Sequence, residues 1–157
     1  MEICILSVGK ISASWIKQGI DQYESRILKY IKFTQWVIPD IKSSKSLSKE
    51  TIKEEEGKLL LNNITSSDFV VIMDEKGIEL TSRSFSEWIQ KQMNSGRKRL
   101  VFVIGGPYGF SNEIYKRADY KIALSKFTFT HEMAKLILTE QIYRGMTILK
   151  GEPYHHD

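Results

Sequence analysis

Three short runs constrain the fold more than any other feature: Ile3–Val8, Phe69–Met73 and Leu100–Ile104 are almost wholly apolar and rich in β-branched residues. A strand with one wet face alternates polar and apolar positions. A continuous apolar run fits a strand covered on both faces, as in parallel sheets sandwiched between helices. The segments between these runs carry helical signals. Ile16, Ile20, Tyr23, Ile27 and Tyr30 recur at helical spacing behind Ser14, a candidate N-cap. Phe33–Ile38 is a further strand, closed by Pro39-Asp40. The Ser/Lys-rich stretch Lys42–Lys49 is expected to be a loop, leading into an acidic helix through Glu54-Glu55-Glu56 to Leu59-Leu60-Leu61.

Downstream, Asp74–Gly77 is expected to turn the chain. Ser84 and Glu87 stand in capping-box spacing on a helix with Phe85, Trp88, Ile89 and Met93 on one side. Gly105-Gly106-Pro107-Tyr108-Gly109 follows the third apolar run directly, and a short helix starts at Ser111. Tyr120–Leu124 gives a fifth strand, Ser125–Thr130 a polar-aromatic loop, and a long helix runs from His131 to about Lys150. Strands alternating with helices imply an α/β fold with a mostly parallel sheet flanked by helices. At 157 residues the chain suits one domain, 1–157.

The last helix also bears on assembly. Met133, Ala134, Leu136, Ile137, Leu138, Ile142, Tyr143, Met146 and Leu149 leave it no wide polar face. A helix apolar nearly all round needs cover on several sides, so a homodimer is expected.

Composition narrows the function classes. The net charge of +4 is modest, but basic residues dominate 1–45 and 76–99 while 46–75 is acidic. Such a distribution suits a phosphate-facing surface with an acidic side turned away, or simply solvated helix faces. The single cysteine, Cys4, sits inside a strand and fits a buried structural thiol. No run reaches membrane-span length, and the N-terminus lacks a signal peptide's basic region and cleavage site. The expected setting is therefore the reducing cytoplasm, away from membranes.

In open parallel sheets ligands bind beyond the carboxyl ends of the strands, which points to the loops after Met73, at Gly105–Gly109 and at Leu124–Thr130. The glycine turn is neither a dinucleotide fingerprint nor a phosphate-binding loop. His131, His155 and His156 have no companions at metal-ligand spacing, and no nucleophile elbow is present. Methyl transfer from S-adenosylmethionine suits such a residue set, because the sulfonium already activates the methyl group and the protein mainly aligns donor and acceptor.

A set of ordered motifs sharpens this expectation. They are Ser7-Val8-Gly9-Lys10, Phe102-Val103-Ile104-Gly105-Gly106-Pro107-Tyr108-Gly109, Leu124-Ser125-Lys126-Phe127-Thr128-Phe129-Thr130-His131, Glu140-Gln141-Ile142-Tyr143-Arg144 and Pro153-Tyr154-His155. Together they resemble the ribosomal RNA large subunit methyltransferase H family over essentially the whole chain. The resemblance implies the SPOUT fold, with its C-terminal part threaded into a trefoil knot. It also implies a homodimer, S-adenosylmethionine bound in the knot, and methylation at N3 of a pseudouridine in 23S ribosomal RNA, on the large subunit or whole ribosome.

By the same resemblance Met73 and Gly105 line the cofactor pocket, and Leu124, Ser125, Lys126, Phe127, Thr128 and Phe129 wrap the cofactor. His131, Arg144, Tyr154 and His155 are the candidate catalytic residues. His131 handles RNA or a proton, or makes a structural hydrogen bond; Arg144 meets a phosphate or the target base, within its own subunit or across the dimer, or pairs with Glu140. Tyr154 and His155 position or deprotonate the base. Lys126 and Arg97-Lys98-Arg99 are candidate phosphate contacts. Three residues depart from the family pattern: Met73 for leucine, Thr130 for proline and Gly145 for alanine. Thr130 brings a candidate N-cap, and Gly145 costs about 1 kcal/mol of helix stability. Two other readings stay open: a non-enzymatic RNA- or ribosome-binding module, and a doubly wound nucleotide- or flavin-binding protein.

Overall fold

The computed structural model describes residues 1–41 and 46–156. Five strands and five helices alternate: β1 (Glu2–Val8), α1 (Ser14–Ile27), β2 (Lys32–Ile38), α2 (Lys49–Leu61), β3 (Phe69–Glu79), α3 (Ser82–Met93), β4 (Arg99–Ile104), α4 (Asn112–Arg117), β5 (Tyr120–Ala123) and α5 (His131–Leu149). The strands form one sheet in the order β2-β1-β4-β3-β5, and every pairing is parallel. This is the α/β architecture expected from the continuous apolar runs.

Both faces of the sheet are dry. Ile3, Ile5, Val71, Phe102 and Ile104 pack with Ile27, Phe85, Ile89, Leu138, Ile142 and Met146 on the side of α1, α3 and α5. Cys4, Leu6, Val70, Ile72, Val101 and Val103 pack with Leu60, Phe110 and Ile114 on the side of α2 and α4. Alternate residues of each strand therefore serve opposite cores, so no polar period survives in the sequence. Cys4 is 1% exposed, and burial pushes its thiol pKa up, as suits a structural role.

Several local expectations need correction. Ser14 is the first residue of α1, not its cap; Ala13 occupies the cap position without a side-chain bond. The carboxylate of Glu132 on α5 instead ties down the segment just before the helix, accepting from Ser12 N at 2.8 Å and Ser12 Oγ at 2.7 Å. An acidic group at a helix start complements the dipole whatever element supplies it. The cap of α3 is Thr81, accepting from Ser84 N, so the helix begins earlier than the Ser84–Glu87 spacing implies. Ser48 caps α2, which already includes Lys49; of the expected Lys42–Lys49 loop, residues 42–45 lie outside the described residues.

Asp74–Gly77 does not end β3. The strand continues to Glu79 through a register irregularity in which Met73 and Ile78 both pair with Ile122. Gly77 permits this, since a Cβ there would lie 2.6 Å from the main chain of Ile122. Thr130 does cap α5, accepting from Met133 N.

The girth of α5 is covered partly from within the chain. It packs on α1 and α3 beneath the sheet, with Leu136 seated against Gly19 and Gly145 against Ile89. Met133, Ile137, Tyr143 and Leu149 remain half-buried. Among the described residues no helix is long and apolar enough to cross a membrane.

Candidate active site

The neighbouring strands β3 and β4 send their following helices to opposite faces of the sheet, which opens a crevice at their carboxyl ends. A cleft of about 1030 Å³ occupies it. Met73, Gly105, Leu124, Ser125, Phe127, Thr128, Phe129 and His131 all line this cleft, together with the Gly106–Phe110 turn. Seven of the eight candidate cofactor residues, and one catalytic candidate, thus line a single cavity. Lys126 is exposed and lies outside the lining.

Local chemistry shapes the walls. Gly105 admits the Phe110 ring, which a Cβ would meet at 3.0 Å. Phe127 N donates to Ser125 Oγ at 3.0 Å, tightening the loop that carries Phe127, whose ring is 81% exposed at the mouth. Asp74, Glu75 and Glu132 bring carboxylates to the lining. Tyr115 donates to Asp74 Oδ2, and burial together with that carboxylate pushes its phenol up to about 12. Asp74, Glu75, Tyr108 and Tyr115 were not foreseen as a group. The apolar run ending at Met73 and the glycine turn were the only signals available for them.

Arg144, Tyr154 and His155 stand elsewhere. Arg144 Nε donates to Glu140 Oε1 at 3.0 Å, its guanidinium lies 4.7 Å from the Tyr154 ring centroid, and its Nη1 is 3.4 Å from His155 Nδ1. The Tyr154 hydroxyl is 3.3 Å from Tyr23 OH and 3.2 Å from Glu140 Oε1. Burial first, then Tyr23 and Glu140, push its pKa well above the ordinary phenol value.

The expected basic loop also resolves. Arg99 donates through Nε to Asp68 Oδ1 at 2.8 Å and through Nη2 to Asn63 O. Arg97 sits 4.4 Å from the Phe69 ring centroid. These residues mark the amino ends of β3 and β4, at the opposite end of the strands from the cleft. Among the described residues no group of His, Cys, Asp and Glu could hold a metal ion.

The Gly105–Phe110 turn and the Leu124–Thr130 loop thus meet on one cleft at the carboxyl ends of an all-parallel sheet. A family model described as "Predicted SPOUT methyltransferase" matches residues 1–155. A solved structure of a probable methylase family protein from Haemophilus influenzae Rd KW20 shares the fold, with a TM-score of 0.50 at 11% identity over 99% of this chain and 70% of its own. Among curated relatives, the ribosomal RNA large subunit methyltransferase H of Christiangramia forsetii is 54% identical, covering 99% of both chains. That of Parabacteroides distasonis is 51% identical over the full length of both, and that of Flavobacterium johnsoniae 50% identical over 99% of both. The chain belongs to the ribosomal RNA large subunit methyltransferase H family.

Proposed function

We propose that this protein transfers a methyl group from S-adenosylmethionine to N3 of a pseudouridine in 23S ribosomal RNA, acting on the assembled large subunit or ribosome in the cytoplasm. The observation that carries this reading is the convergence of the Gly105–Phe110 turn and the Leu124–Thr130 loop on one cleft. Its walls fit the cofactor. Met73, Leu124, Phe127 and Phe129 offer apolar surface for the adenine and thioether, while Gly105, Ser125 and Thr128 offer main-chain and hydroxyl partners. The carboxylates of Asp74, Glu75 and Glu132 complement its positive charge. The reading includes the knotted threading of the fold family.

When bound, S-adenosylmethionine supplies an activated methyl group, so the chain's own work is alignment and proton handling. His131, at the start of α5 and on the cleft, holds the target base or takes its N3 proton. Arg144, steadied by Glu140 and Tyr154, grips the RNA with a fixed cationic fork. His155 stands beside it. In one protomer this cluster is remote from His131, so a homodimer in which the Arg144 cluster of one subunit serves the cleft of its partner unites the four residues.

Calorimetric titration with S-adenosylmethionine and with its demethylated product tests the cofactor site. One ligand should bind per subunit, and Gly105→Val, which drives a side chain into Phe110, should weaken it by about tenfold or more. Absence of binding at millimolar ligand would overturn the reading and leave the RNA-binding module. Light scattering should give a dimer.

A further inference from the structure

Glu56 is a buried carboxyl outside the lining of the cleft. It sits on α2 and is 5% exposed, and its Oε2 has no hydrogen-bond partner. Its neighbour is the glycine turn: a Cβ on Gly106 would lie 2.5 Å from Glu56 Oε2 and 2.7 Å from Oε1. Gly106, which packs against this carboxyl, also lines the cleft. The adjacent Gly57 fixes this placement. A Cβ there would fall 2.3 Å from Ser111 Oγ, so α2 lies hard against the Ser111 cap of α4.

We propose that Glu56 is a specificity residue of the cofactor site: its buried carboxylate, behind the Gly105–Gly106 turn, favours the sulfonium-bearing methyl donor over the neutral thioether product. The proposal rests on the cofactor site argued above. Donor and product differ by one methyl group and one positive charge, so an unscreened negative charge nearby discriminates between them where shape cannot. The other acidic groups are less able to do so. Glu132 is committed to the start of α1 and Asp74 to Tyr115, and Glu75 is exposed and screened by solvent. The Oε2 of Glu56 has no such local partner, and a cation in the cleft favours its ionised form. After methyl transfer the preference is lost, which helps the product leave.

The proposal implies a pH dependence. Burial raises the Glu56 pKa, and Asp40 raises it further. The titratable group that acts on it is Asp40, from the segment after β2. Lys53 is one turn away on α2, paired with Glu50. Ser111 and Ile114, which α4 presents to Gly57, do not titrate. His131 reaches the same corner across Gly9, where its Nε2 and Asp40 Oδ1 both crowd the position of a Cβ.

The test is calorimetry with S-adenosylmethionine and S-adenosylhomocysteine on wild type and the isosteric Glu56→Gln. The variant should weaken donor binding by roughly three- to tenfold and leave product binding unchanged within about twofold. An equal loss for both ligands marks a structural role and overturns the proposal, as does no loss for either. Wild type alone gives a second reading if the variant misfolds. Its donor-to-product preference should decline as pH falls through the raised Glu56 range; a preference constant across that range overturns the proposal. A decline that persists in a folded Glu56→Gln assigns the effect to Asp40 or the cleft carboxylates and also overturns it. Wild type that binds neither ligand defeats the cofactor reading itself, whereas equal binding of both defeats only this inference.

Discussion

His131 and Arg144 share α5 but face different surroundings: His131 lines the cleft, while Arg144 pairs with Glu140 under Tyr154. At 1.5 Å per residue, the stretch of helix between them is about 20 Å long. Arg144→Ala should therefore leave cofactor affinity within about twofold of wild type while lowering methylation by about 100-fold or more, a loss fitting a contact used in the transition state. If the Arg144 cluster serves the partner's cleft, mixing Arg144→Ala subunits with Gly105→Val subunits should restore activity in the heterodimers. Unrestored mixtures would place the whole reaction within one protomer.

Asp68 and Arg99 tie the amino ends of β3 and β4, with side chains 4% and 15% exposed. Burial pushes the Asp68 carboxyl up, but Arg99 and the Thr65 N–H outweigh it and hold it below 3.8. Its contribution is fully present above that value and lost as pH falls through the depressed folded one. Asp68→Ala should cost about 3 kcal/mol at neutral pH by urea denaturation, because Arg99 loses its partner in a half-dry site. The deficit relative to wild type should shrink in acid.

Lys135 is 3% exposed and donates to Ser7 Oγ at 3.1 Å. Burial lowers its pKa, partly offset by Glu24. The cost of burying the charge is full below the folded value and vanishes above 10.5, so stability relative to an apolar variant improves with rising pH. Lys135→Met should gain about 1 kcal/mol at neutral pH, with a Tm rise of about 2–4 °C, and the gain should shrink in strong base.

The sequence carried the sheet because burial on both faces leaves a signature within each strand, and it carried the cleft because the Gly105 and Leu124 motifs follow strands directly. It missed what depends on distant partners. Glu132 tying down the segment before α1 is invisible around Ser14. The continuation of β3 past Asp74 needs β5 beside it, and Gly77 alone looks like a turn. Glu56 sits within an acidic run that looks solvated, and only the fold shows it lying under Gly106. The separation of Arg144 from His131 along α5 follows from helix length alone.

Gly145 illustrates a departure that packing tolerates. A Cβ there would meet Ile89 Cδ1 at 3.5 Å and Ser86 Cα at 3.7 Å, ordinary contact distances. Gly145→Ala should therefore stabilise the protein by about 1 kcal/mol through helix propensity, seen as a Tm rise of about 2–4 °C. A fall in Tm would mean that α3 needs the closer approach, through the bond from Ser86 Oγ to Gly145 O.

The most direct test of the central claim uses ribosomes from a strain lacking this protein. They are incubated with the purified chain and methyl-labelled S-adenosylmethionine, and the 23S RNA is then digested and its nucleosides identified by mass. The account predicts one N3-methylated pseudouridine per ribosome and little label in protein-free RNA. No transfer, transfer to the small-subunit RNA, or equal labelling of naked 23S RNA would contradict it.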